Sequence, residues 1–162
     1  MKLTYDKVFA LADLLPRLER ERAAGRTLVF TNGCFDILHV GHVRLLQQAK
    51  AEGDVLIVAI NADASVRQLN KGDDRPIHPE AERAETLAAF AAVDYVTVFG
   101  EPTPQEIIAQ IQPDVLVKGG DWGPDEIVGS DIVQARGGRV VRVDLVRGQS
   151  TTNLLKKARG ED

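Results

Sequence analysis

Val55-Leu56-Ile57-Val58-Ala59-Ile60, closed by Asn61, is six apolar residues in a row with no polar alternation. A strand with one wet face would alternate; an unbroken run suits a strand covered on both faces, hence a parallel sheet with helices on either side. Working outward, short β-branched runs recur at Leu28–Asn32, Tyr95–Phe99, Asp114–Lys118 and Arg139–Asp144. Segments with helical spacing follow the strands: Gly41–Ala51, Glu80–Ala92, Pro104–Ile111, Asp125–Ala135 and Thr151–Ala158. The alternation predicts an α/β fold, one doubly wound Rossmann-like domain with a five-stranded parallel sheet over residues 28–162. Residues 1–27 read as an N-terminal helical extension, with Val8, Leu11, Leu14, Leu15 and Leu18 at helical spacing. In such sheets ligands sit beyond the carboxyl ends of the strands, where strand order reverses. The longest connection expected to lack structure, Asn70–Pro79, reads as a surface loop or a lid.

The 162 residues suit a single domain with a full core. Twenty Lys and Arg against 24 Asp and Glu leave a net charge of −4, which argues against a dedicated nucleic-acid binder. The charge is uneven: residues 136–159 hold seven bases and one acid, Asp144, so this stretch is either a solvated face or a seat for a small polyanion. The longest apolar run, Leu87 to Val93, is far short of the roughly 20 residues a membrane helix needs. Met1–Asp6 carries no apolar export core, and the single cysteine, Cys34, suits a reducing compartment; a cytoplasmic location is expected.

The first strand runs into Thr31-Asn32-Gly33-Cys34-Phe35-Asp36-Ile37-Leu38-His39-Val40-Gly41-His42. A helix opening at His39 offers unpaired N–H groups and a positive dipole end to an anion. Gly41 lacks a Cβ and permits close approach, and two imidazoles three residues apart share a helical face and can both donate to phosphoryl oxygens. Phosphoryl transfer needs such preorganised donors more than it needs a nucleophile. The plainer alternative is that one His caps the helix and the other packs. Zinc is disfavoured because Cys34 stands alone, and both glycine-rich phosphate fingerprints are absent. Cys34 has no neighbour that suggests a redox role.

Other candidates gather at predicted strand ends. Ser150-Thr151-Thr152 precedes an apolar helix pattern, and three hydroxyls exceed what capping requires. Lys118 closes an apolar run, and Gly119 and Gly120 after it allow a ligand close to the backbone. Asn61 and Asp63 are either turn residues or acceptors for sugar hydroxyls. Arg67, Lys71, Arg75 and Arg83 could clamp a sugar phosphate or could simply be solvated. Asp36 is a turn residue, a metal ligand or an orienting group. Lys50, two helical turns after His42, either reaches the phosphates or is a surface lysine.

The block Thr31–His42, of the His-x-Gly-His type, resembles the signature of cytidylyltransferase-like nucleotidyltransferases, most closely the bacterial D-glycero-β-D-manno-heptose 1-phosphate adenylyltransferases. Residues 61–67, Lys71–Ile77, Val117–Asp121 and Ser150–Thr152 extend the likeness across nearly the whole chain from Leu28 to Lys157. The likeness is to the nucleotidyl-transfer half of the bifunctional kinase/adenylyltransferases, and only that half is expected here. It implies transfer of AMP from ATP, with Mg²⁺, to a sugar 1-phosphate. The catalytic residues would be His39, His42 and Lys50. The nucleotide would be held by Thr31, Asn32, Gly33, Cys34, Phe35, His39, Gly41, His42, Lys118, Gly119, Asp121 and the trio Ser150, Thr151 and Thr152, the last three on the β- and γ-phosphates. Asp36, Asn61, Asp63, Arg67, Lys71, Arg75 and Arg83 would face the sugar phosphate. The metal-holding residues stay unknown, and a homodimer stays open.

The sequence departs from the family at three places. Trp122 stands where Tyr is frequent, and His78 where Asn is usual. Leu145 stands where related glycerol-phosphate enzymes carry Arg, which favours ATP over CTP. Three alternatives remain: a CTP-dependent enzyme acting on a polyol phosphate such as glycerol 3-phosphate, a catalytically silent nucleotide-binding module, and a nucleic-acid binder using residues 136–159.

Overall fold

The computed structural model describes residues 3–69, 75–120, 126–144 and 160. After a 3-10 turn at Thr4–Asp6 come α1 (Leu11–Ala23), β1 (Leu28–Gly33), α2 (Val40–Ala51), β2 (Val55–Asn61), α3 (Asp63–Gln68), α4 (Glu80–Ala88) and β3 (Tyr95–Phe99). The chain continues through α5 (Gln105–Ile111), β4 (Val115–Gly119), α6 (Ser130–Ala135) and β5 (Arg139–Val143). The strands form a five-stranded sheet in the order β3-β2-β1-β4-β5, and every pairing is parallel. The chain builds outward from β1 to β3, then returns to the other side of β1 to lay down β4 and β5. Order therefore reverses between β1 and β4.

The unbroken apolar run of β2 has the expected cause. All seven of its residues are buried, and alternate ones enter opposite cores. Ile57 and Ala59 pack with Leu14 and Leu18 of α1, Ile107 and Ile111 of α5 and Val133 of α6. Leu56, Val58 and Ile60 pack with Leu46 and Ala49 of α2 and Ala84, Leu87 and Ala88 of α4. Because side chains alternate with period two, a slip of one residue would exchange the two cores. Three aspartates fix the register at the amino ends of the strands. Asp54, Asp94 and Asp114 each precede a strand, and their carboxylates accept the N–H groups of Thr27, Leu56 and Leu28 at 2.8, 2.7 and 2.8 Å.

The residues before and within α1 are tied to this frame. Phe9 N–H donates to Val96 O at 3.0 Å and Val96 N–H to Lys7 O at 2.8 Å, so residues 7–9 line part of the edge of β3. Lys7 Nζ donates to Phe90 O and Val93 O beyond the end of α4. Arg22 does the same for Ile111 O and Gln112 O at the end of α5. Cations at these termini satisfy orphan carbonyls and oppose the negative dipole end.

The elements differ from expectation where local caps decide. Helix α4 stops at Ala88, four residues short of Ala92, because the chain turns there and Lys7 takes the later carbonyls. Helix α6 starts at Ser130, not Asp125, because Gly129 before it is left-handed, with φ +86°. A Cβ at Gly129 would lie 2.5 Å from Ile108 Cδ1, so the tight contact also requires glycine. Helix α3 was unexpected; Asp63 reads as a turn residue but opens a helical turn and a half. The helix expected at Thr151–Ala158 lies outside the described residues. Among the described residues no helix is long and apolar enough to cross a membrane.

Candidate functional site

The order reversal opens a crevice at the carboxyl ends of β1 and β4. Asn32, next to last in β1, lies on one side of it, and Lys118 of β4 donates to Asn32 Oδ1 at 3.4 Å. With Pro104, Glu126, Ile127 and Val128 these two line a cleft of about 110 Å³. Gly119 and Gly120 follow Lys118 at the same edge, and Gly120 N–H donates to Val143 O at 3.1 Å. The lining from 104 and 126–128 carried no sequence signal, since its residues are ordinary loop and apolar types. Thr31 is fully buried in β1 and lies beneath the crevice.

Both histidines open α2, and each uses one nitrogen on the backbone. His39, extended at φ −143°, is the N-cap, and its Nδ1 accepts Gly41 N–H at 3.1 Å. His42 Nδ1 accepts His39 N–H at 3.3 Å. The Gly41 N–H expected to meet a phosphate is thus taken by His39. An accepting Nδ1 carries no proton, so each neutral ring bears its proton on Nε2. Neither Nε2 has a partner among the described residues, and two donors remain. The capping reading therefore holds through Nδ1, and it leaves Nε2 of each ring open toward a ligand.

The rings stack at 3.9 Å between centroids. Burial holds the His39 imidazole below its ordinary pKa. Burial first, and His39 second, push His42 down to about 4. Both are neutral donors at pH 7. The unfolded chain binds a proton near pH 6.5 that native His42 takes up only near 4, so His42 stabilises the fold fully above 6.5 and progressively less as pH falls toward 4. The expected result is a His42 imidazole resonance in the ligand-free protein that titrates with a midpoint near 4 by heteronuclear NMR; a midpoint near 6.5 would contradict this burial.

The sugar-phosphate candidates separate. Arg83 is fully buried and is spent on protein: Nε donates to His78 O, one terminal nitrogen to Cys34 O, and the other to Asn61 O and to the Asp63 carboxylate at 2.6 Å. It cannot also clamp a phosphate. It ties together the loop after β1, the end of β2, the start of α3 and the segment before α4. Arg75 is likewise buried and paired with Asp36. Asp36 also accepts the N–H groups of Ile77 and His78 at 2.8 and 2.9 Å. Burial alone would raise its carboxyl pKa, but the His78 and Ile77 N–H groups and Arg75 outweigh it and hold the pKa below the usual value. Its oxygens are committed, so Asp36 is an anchor for residues 75–78 rather than a ligand for sugar or metal. Asn61 is buried, donates to Ser65 Oγ at 3.0 Å and receives the Cys34 thiol at 3.8 Å. Arg67 is exposed on α3. Lys71, Asp121, Ser150, Thr151 and Thr152 lie outside the described residues.

Lys50 does not share the crevice. Eight residues along α2 carry it about 12 Å from His42 toward the amino ends of the strands. There it pairs with Asp94 at 2.6 Å and donates to Asp54 O. Helix α2 descends antiparallel to β1, which is why sharing a helical face did not mean sharing an end. Lys50→Met is expected to leave kcat unchanged and to cost at most about 1 kcal/mol of stability, the scale of a partly exposed ion pair. Steady-state kinetics and urea denaturation of the variant check both; a large fall in kcat would return Lys50 to the chemistry.

The comparisons with known proteins fit this geometry. The cytidylyltransferase-like family matches residues 30–150. The "Bifunctional protein HldE" of Syntrophotalea carbinolica is 53% identical over 156 residues, covering 96% of this chain and 32% of that protein. That of Ectopseudomonas mendocina is 55% identical over 154 residues, covering 95% and 32%. The chain thus spans about a third of the length of these curated relatives. The crystal structure of a lipopolysaccharide core biosynthesis protein from Thermoplasma volcanium superposes with a TM-score of 0.62 at 27% identity, covering 76% of this chain and 99% of that one. Pantothenate synthetase from Thermus thermophilus, at 17% identity and a TM-score of 0.66, covers 96% of this chain and 69% of that one and shares the fold alone. With the paired imidazoles at the β1–β4 reversal and the match over three-quarters of its length, this chain belongs to the cytidylyltransferase-like family.

Proposed function

We propose that this chain is a cytoplasmic nucleotidyltransferase that moves AMP from ATP to D-glycero-β-D-manno-heptose 1-phosphate, giving ADP-heptose and pyrophosphate. The observation that carries the reading is the pair of neutral imidazoles, each held by backbone through Nδ1 and each with no partner for Nε2–H among the described residues. The sugar phosphate is already an anion, so its oxygen attacks the α-phosphorus directly, in line with the departing pyrophosphate. One P–O bond forms, the bond from the α-phosphorus to the bridging oxygen breaks, and no proton need leave the nucleophile. His39 and His42 donate to the α-phosphoryl oxygens as charge builds on them. Lys118 beside Asn32 adds positive charge at the same crevice. The Ser150, Thr151 and Thr152 hydroxyls are assigned to the departing phosphates by the family resemblance.

A protein-held metal does not fit the described residues. Among the described residues no group of three His, Cys, Asp or Glu is placed to hold one, and Asp36 is occupied by Arg75, Ile77 and His78. Mg²⁺ enters with the substrate, as MgATP.

The relatives named bifunctional HldE and the lipopolysaccharide core protein favour the heptose substrate over a polyol phosphate. The test is pyrophosphate release across ATP and CTP, each paired with heptose 1-phosphate and with glycerol 3-phosphate. The expected result is turnover with ATP and heptose 1-phosphate alone. Turnover with CTP and glycerol 3-phosphate would overturn the substrate assignment. Silence with every pair, in protein that binds nucleotide, would overturn the enzyme reading.

A further inference from the structure

Phe35 was expected to touch the nucleotide, yet it is 5% exposed and packs in the core beneath α2. Its backbone is left-handed, with φ +49°, one of only two non-glycine residues so placed among those described. For a bulky side chain that conformation costs about 1–2 kcal/mol. Strain of this kind persists where the surroundings enforce it, and it gathers at functional sites. Two contacts show what it achieves here. The Phe35 ring lies tilted 52° against the His42 imidazole, 5.2 Å between centroids. The ring also closes on Gly33, where an added Cβ would come within 3.1 Å of it. The left-handed turn folds the chain back so that a residue only two positions past β1 can reach under the first turn of α2.

His42 needs such a wall. Among the described residues its ring makes one hydrogen bond, from His39 N–H, long at 3.3 Å, and the terminal torsion of a histidine is broad and nearly two-fold. A ring flip would move the nitrogen that faces the substrate. We propose that Phe35 is a positioning residue: its ring, backed by Gly33 and held by the left-handed turn, fixes the orientation of His42 for the transfer step. This rests on the function proposed above only for the word transfer; the positioning itself is read without turnover. The same wall supplies part of the burial that keeps His42 neutral.

The test compares Phe35→Leu, which removes the ring, with Phe35→Tyr, which keeps it, in the full chain. With Phe35→Leu the midpoint of the His42 titration in ligand-free protein is expected to rise from near 4 by at least one pH unit. The same variant is expected to lose about 10²-fold in kcat, the scale of a small misplacement of a reacting group, with KM for ATP little changed. Phe35→Tyr is expected to restore both. A raised KM for ATP with kcat and titration unaltered would make Phe35 a nucleotide contact and overturn the proposal. Should Phe35→Leu fail to fold, Gly33→Ala crowds the ring, and an unmoved His42 titration there also overturns it. If His42→Ala keeps full kcat, the functional reading fails while the titration still decides Phe35.

Discussion

His39→Asn is expected to lower kcat by about 10²–10³-fold while leaving stability nearly unchanged, because losing one preorganised donor to a developing phosphoryl charge costs that much. Asparagine is among the best N-cap residues, so its side-chain oxygen can take over the Gly41 N–H that His39 Nδ1 now accepts. What it cannot supply is the Nε2–H. His42→Ala is expected to fall as far in kcat, with a modest stability loss as His39 N–H loses its acceptor. The measurements are pyrophosphate release at saturating ATP and heptose 1-phosphate, and urea midpoints for both variants. If kcat stays within a few-fold of wild type in folded protein, the imidazoles are caps and nothing more.

Arg83→Met carries the other large effect, on stability. Methionine fills similar volume and can pack with Ala84, Leu87 and Ala88 on the buried face of α4. It leaves the carbonyls of Cys34, Asn61 and His78 without this donor and strands the Asp63 carboxylate. Removing one partner from a buried charged network costs about 3–5 kcal/mol, so a large drop in urea midpoint is expected. Near-native stability would mean that water reaches those groups. Because Arg83 joins the loop after β1 to residue 78, the variant also tests whether those two segments hold together.

The strands were legible because burial on two faces writes itself into composition, as β2 shows. The carboxyl edge of the sheet was legible as the place to look, but the reversal between β1 and β4 was not, since strand candidates alone do not give their order in the sheet. The histidines were legible as a pair; the capping duty of Nδ1 was not, since spacing does not say which nitrogen meets the backbone. Arg83 and Arg75 were misread as clamps, although a signal existed for the first. Arg83 falls in the stripe with Ala84, Leu87 and Ala88, and an arginine among buried positions is more often tied to protein than free for a ligand. Lys50 was misread because periodicity gives the face of a helix and not its distance along the axis. Asp36 carried no such signal: its role depends on Ile77 and His78, some forty residues away.

The carboxylates of Asp54, Asp94 and Asp114 act as latches at one rim of the sheet, while His39, His42 and Lys118 sit at the other. Alignment and reactivity are thereby written into separate stretches of polypeptide. The reactive rim can accumulate sequence change, or accept segments transplanted from distant relatives, without shifting any strand along its neighbour. An architecture divided in this way can exchange one transferable group for another during evolution while its scaffold stays put.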